Sequence, residues 1–182
     1  MTPAPSQFGR VHRACNRLVS RLENVAVAVA GLAMLAAMLL TSLDAIMRYL
    51  FNSPISFQQY LTENYLLVAM INMAFAWGFR AGGYVRIETL LTQLPRSFGN
   101  GTVRLGLLIS AAYVAVLAWL AGGTFLEAYT KGATHFGEID WPVSWSWFWI
   151  PVGCGLLALR LTLIATGPAD VFAVGKVGED PV

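Results

Sequence analysis

Four stretches of this chain run without a charged side chain, at residues 24–43, 64–79, 105–126 and 141–159. Each is close to the roughly 20 residues that an α-helix needs to cross hydrocarbon. The second is the shortest. Tyr60 and Leu61 before it, with Arg80 reaching back to water behind it, bring it to spanning length. The ten-residue alternating segments that build a membrane barrel are absent from the sequence. The pattern predicts an all-α integral membrane protein whose domain, 24–166, holds four spans at about 24–50, 60–81, 103–126 and 143–166. Residues 1–23 form a basic leader and 167–182 a polar tail.

A different period fills the connection between the second and third spans. After Gly82 and Gly83, the apolar residues Ile87, Leu90, Leu91 and Leu94 fall at i, i+3, i+4 and i+7, one face of a helix. Arg86, Glu88, Thr89, Thr92 and Gln93 occupy the other positions, and Pro95 ends the pattern. A short amphipathic helix lying along the membrane interface is expected, with its arginines among anionic headgroups. An ordinary cytoplasmic loop would account for the charge but not for the periodicity.

Composition agrees with the bilayer reading: 57% of residues are hydrophobic and 12% charged, against about 25% charged in a soluble domain. The arginines orient the chain. Arg10, Arg13, Arg17 and Arg21 precede the first span, and Arg80, Arg86, Arg96 and Arg104 surround the connection between the second and third. Positive residues mark the cytoplasmic side, so both termini are expected inside. The last connection, with Glu127, Lys131, Glu138 and Asp140, then faces out. Trp141, Trp145, Trp147 and Trp149 gather at the outer entry of the fourth span, where indoles favour the headgroup level as an aromatic belt.

The first span could be a cleaved secretory signal, since basic residues precede it and "AVAVA" offers small side chains. Its apolar stretch exceeds the 7 to 15 residues of a signal core, and Asp44 and Arg48 follow it in place of a cleavage motif. It reads as an uncleaved anchor. Cys15 and Cys154 are expected on levels too far apart to pair.

Small residues recur along two spans: Ala26, Ala30, Ala33 and Ala37 in the first, and Ala111, Ala115, Ala118 and Gly122 in the third. Such stripes allow close helix contact where lipid removes the hydrophobic drive. Among ionisable groups, Asp44, Arg48 and Glu63 surround the hairpin "RYLFNSPISFQQYLTE", with its turn at Asn52, Ser53 and Pro54. An Arg48–Glu63 or Asp44–Arg48 pair would offset the cost of desolvating charge, as a structural pair or as a coupling-ion site. Asn64 and Asn72 are expected to bond neighbouring helices.

These residues carry a resemblance. "DAIMRYLFNSP" closing the first span, Glu63 opening the second, "FRAGGYVRIETLLTQLP" after it and "WPVSWSWFWIPVG" leading into the fourth are similar to the small membrane subunit of the tripartite ATP-independent periplasmic (TRAP) transporters, the DctQ-type family. The similarity runs from about Ala26 to Arg160, and "YVRIE" departs from the histidine and aspartate that members often show there. The resemblance implies a non-catalytic scaffold without a cofactor. Its implied partners are a large membrane subunit, a periplasmic solute-binding protein and membrane lipids, with no nucleic acid among them. The transporter it implies takes up a carboxylate-bearing solute with sodium.

Other classes fit less well. Haem would need histidines inside the spans, but His12 lies in the leader and His135 in the outer connection. No nucleophile, base or metal-ligand cluster suggests an enzyme. A small multidrug-type exporter working through Glu63 is the alternative, although its carboxylate belongs at mid-membrane in the first helix and Glu63 opens the second.

Overall fold

The computed structural model describes residues 7–82, 96–132, 134–135 and 141–167. Helix α1 (Gln7–Phe51) is unbroken for 45 residues, about 67 Å at 1.5 Å per residue. The leader from Gln7 onward is therefore its first turns. A turn with Asn52 in the left-handed region, φ 50°, leads to α2 (Gln58–Leu61), a π-turn (Thr62–Leu66) and α3 (Leu67–Arg80). Then follow α4 (Arg96–Thr130), two-residue strands β1 (Thr134–His135) and β2 (Trp141–Pro142), and α5 (Val143–Thr166). The strands pair antiparallel, Thr134 with Pro142 and His135 with Trp141.

Among the described residues, three helices are long and apolar enough to cross a membrane, over Ala14–Phe51, Gly101–Thr130 and Val143–Thr166. The second apolar run is also helical from 58 to 80, but the π-turn divides it. The Asn64 side-chain amide donates to the Tyr60 carbonyl at 3.2 Å, the acceptor that its own backbone N–H would use in an α-helix. Side-chain competition of this kind favours a widened turn. The Asn64 carbonyl in turn accepts from the Ser146 hydroxyl on α5.

Tertiary contacts set the directions. Gln58 reaches Thr41 while Arg80, at the far end, reaches Ser20, so the 58–80 rod runs antiparallel to α1. Phe125 of α4 meets Phe148 of α5, and Arg104 meets Gly167, so those two helices are also antiparallel. Helix α5 is central: it touches α1 and α3 and carries α4, which packs mainly against it.

The core is thin and made of small residues. Ala26 and Ala30 of α1 bury against Met73 of α3, with Trp149, Val152 and Leu156 of α5 closing the cluster. Ala33 is buried on the same stripe. The α4 stripe differs from the spacing expected above. Ala111 is buried, but Ala115 is exposed and Ala118 half-buried, with full burial returning at Ala121. Asn72 also departs from expectation, bonding the Val68 carbonyl of its own helix at 2.8 Å.

A close backbone approach lies where α3 crosses α5. A Cβ at Gly153 would collide with the Asn72 carbonyl and stand 2.6 Å from its carbon. Gly155, one half-turn on, has nothing within 4 Å. Gly153→Ala should therefore separate α3 from α5 and destabilise by about 1–3 kcal/mol or more. Gly155→Ala should be neutral or gain up to ~1 kcal/mol from helix propensity. Thermal unfolding of the two variants in detergent measures the contrast, and equal melting would contradict this crossing geometry.

Candidate functional site

Among the described residues, the most deeply buried charge is one that sequence reasoning passed over. Glu23 of α1 has 0% of its surface exposed. Arg80, in the last turn of α3, places Nη1 3.1 Å from one carboxylate oxygen. Arg160 of α5, 4% exposed, places Nε 3.6 Å from the other. The arginines are themselves tethered to α1. Arg80 donates to the Ser20 carbonyl at 3.1 Å and to the Asn24 side chain, and Arg160 donates to the Asn16 side chain at 2.7 Å. Arg104 adds the fourth helix, donating to the Gly167 carbonyl just past α5 at 2.9 Å.

This arrangement follows from local structure. Val19, Glu23, Ala26, Ala30 and Ala33 lie at steps of four and three on the inward face of α1. Glu23 is the polar end of the alanine stripe. The signal was thus available: extending the stripe three residues back from Ala26 reaches the carboxylate. Arg80 ends α3, and Gly82 two residues on takes φ +74°, a helix-ending conformation; a cation there also complements the helix C-terminal dipole. The clasp stabilises a geometry, since removing one member leaves an unbalanced charge in a low-dielectric site.

A second polar layer lies at the other end of α1. Asp44, 7% exposed, receives Arg48 Nη2 at 2.9 Å on one oxygen and the Ile55 backbone N–H at 2.8 Å on the other. The carboxylate thereby pins the turn that reverses the chain. Gln58 Nε2 donates to Thr41 Oγ1 at 3.1 Å beside it. Glu63 is exposed and accepts from Gln59 at 3.2 Å; the structure does not bring it to Arg48. Asp44 and Glu23 are 21 residues apart on α1, about 32 Å. The two layers therefore bracket a slab of the ~30 Å expected of bilayer hydrocarbon.

The tryptophans divide. Trp145 and Trp147 are exposed, whereas Trp149 turns inward against the alanine core and meets Phe148 edge-on at 5.4 Å. Only the backbone of Trp141 is described. Arg86, Glu88, Leu90, Leu91 and Leu94, the expected interfacial helix, lie outside the described residues. Among the described residues no group of three metal-ligating side chains converges, and the charged clusters are ion pairs between helices or within one turn.

Comparison with known proteins adds the family context. A family model described as the DctQ component of tripartite ATP-independent periplasmic transporters matches residues 37–166. That match includes Asp44, Arg80, Arg104 and Arg160 and begins after Glu23. A curated relative, the C4-dicarboxylate TRAP transporter small permease protein DctQ of Rhodobacter capsulatus, is 27% identical over 116 residues. The aligned part is 64% of this chain and 48% of the relative, so the chain spans about half the length of the relative it matches.

The clasp yields a measurable ordering. Glu23→Ala leaves two guanidiniums without their carboxylate and should cost about 3–5 kcal/mol. Replacing the whole set by apolar residues of similar size, Glu23→Leu with Arg80→Met and Arg160→Met, should recover much of that loss. Thermal stability in detergent reads both. A Glu23→Ala protein as stable as the parent would mean that water already screens the site.

Proposed function

This chain belongs to the DctQ family of tripartite ATP-independent periplasmic transporter components, a multi-pass inner-membrane small subunit, and from that premise we propose that it serves as a rigid scaffold for a large membrane subunit. The observation that carries this reading is where its buried charge sits. Glu23, Arg80 and Arg160 tie α1, α3 and α5 to one another at one end, and Asp44 ties the hairpin at the other. Charged side chains so engaged hold a fixed shape. The apolar runs between the layers carry no ionisable carboxylate or amine for a solute or coupling ion. Solute and sodium would then move through the large subunit, supplied by a periplasmic binding protein, and the solute would carry a carboxylate as the relative's name suggests.

The proposed topology has four spans, the second being the 58–80 rod. That rod is 23 residues from end to end, about 34 Å even with its π-turn taken as α-helix. Both termini and the 83–95 connection would be cytoplasmic, with Arg17, Arg21, Arg80 and Arg104 on that side. The connection's leucines would enter the inner leaflet, and Glu63 and the tryptophan belt would face out.

Two measurements test the proposal. Alkaline phosphatase fused after Gly132 should be active and fused after Gly99 inactive; the reverse overturns the topology. In liposomes the chain alone should give no sodium-dependent uptake of a C4-dicarboxylate or related carboxylate, while addition of the large subunit and binding protein should restore it. Uptake by the chain alone would refute the scaffold role.

A further inference from the structure

Between α1, the 58–80 rod and the start of α5 runs an open groove of about 620 Å³. Ala33 and Ala36 of α1 and Ala69 of α3 line it, because methyl side chains leave the space between the three helices unfilled. Trp145 and Trp149 of α5 form the opposite wall. Tyr65 also lines the groove, and its hydroxyl donates to the Pro142 carbonyl at 2.7 Å. The walls are thus hydrocarbon and aromatic ring.

We propose that this groove is a binding site for one acyl chain of a membrane phospholipid, held with its ester end toward the aromatic wall and its methylenes along the alanine floor. The inference goes beyond the scaffold reading and does not depend on it. Three observations support a lipid chain over other occupants. The groove lies between the two polar layers that bracket the hydrocarbon slab, between Glu23 and Asp44 on α1. It is also continuous with exposed apolar surface, since Leu32 lines it at 67% exposure and Leu35 and Leu39 extend the same exposed side. Size limits what can sit inside it. A spanning helix about 10 Å across and 30 Å long occupies on the order of 2,000 Å³, well above the groove's volume, which falls among sites for single small ligands at roughly 300–1,000 Å³.

A polar ligand would be a poor fit, because it would lose its hydrogen bonds to water with little to replace them. A chain of methylenes loses none. The alanines give the site its depth, and the rigid aromatic wall gives it a shape that bulk lipid does not have. A chain seated there exchanges more slowly than the annular lipids around α1 and α4.

The test counts phospholipids retained by the full chain. Protein extracted into detergent from nanodiscs of phosphatidylethanolamine and phosphatidylglycerol is stripped stepwise and weighed by native mass spectrometry. The parent should keep one phospholipid per chain after annular lipid is gone. Ala36→Phe, which fills the groove from its half-buried wall, should lower that occupancy about tenfold or more. Ala36→Leu should lower it less. Ala28→Phe, the same change on an exposed position of α1 outside the groove, should leave it unaltered. Helical content and monodispersity of each variant confirm folding. Retention of the lipid by Ala36→Phe, or equal loss in Ala28→Phe, overturns the proposal. So does a parent that holds no lipid, and so does an Ala36→Phe chain that keeps its lipid but no longer co-purifies with the large subunit, since the groove would then receive a partner side chain.

Discussion

A carboxylate with no exposed surface has to be balanced where it stands, and for Glu23 that requirement constrains three helices at once. Two guanidiniums from α3 and α5 converge on one side chain of α1. The depth of each helix relative to the others is thereby set, because a slip of one residue would move a charge by about 1.5 Å and rotate it by a sizeable angle. Helix α3 must end where Arg80 can reach Ser20 and Asn24. Gly82, in its left-handed conformation, supplies the ending. Apolar packing between alanines has no comparable directionality.

The distribution of side-chain size on α1 reflects the solvent. In a water-soluble bundle the large apolar residues would face inward. Here the inward stripe is Ala26, Ala30 and Ala33, and the outward side carries Leu32, Leu35, Leu39 and Leu43. Lipid is as apolar as leucine, so turning leucine inward gains little, while alanine lets backbones approach and increases van der Waals contact. The Gly153–Asn72 crossing extends the same rule to the backbone itself. Specific orientation then has to come from the few polar groups, which is why both ends of the bundle are where its ion pairs lie.

Much of this was legible in the sequence. Long uncharged runs marked the three helices able to span, because hydrocarbon excludes charge and no tertiary detail alters that. The alanine stripe of α1 was legible for the same reason. The central clasp was harder: Glu23 precedes an apolar run and Arg160 follows one, so each reads in isolation as an ordinary boundary residue. Their meeting depends on α1 and α5 running antiparallel across 137 residues of sequence. The Arg48–Glu63 pairing expected from depth failed for a local reason. Asp44, one turn back on the same helix and the other partner the sequence offered, takes Arg48, and Gln59 holds Glu63 in the same way. The π-turn was illegible because it arises from the Asn64 amide competing with its own backbone. Positions 85–94, whose periodicity was the sharpest local pattern, lie outside the described residues.

Helix α1 reaches 16 residues beyond Glu23 toward its start at Gln7, about 24 Å, with no proline or glycine pair to soften it between Val11 and Glu23. An α-helix of that length bends only gently. Asn16, seven residues before Glu23, is itself bonded to Arg160, so the turns ahead of it behave as a short lever whose fulcrum is the clasp. A sideways push on them would be felt at Arg80 and Arg160 with little lost to bending in between. The same stiffness works in reverse, so any reorganisation of the clasp would be carried outward to the tip of the helix.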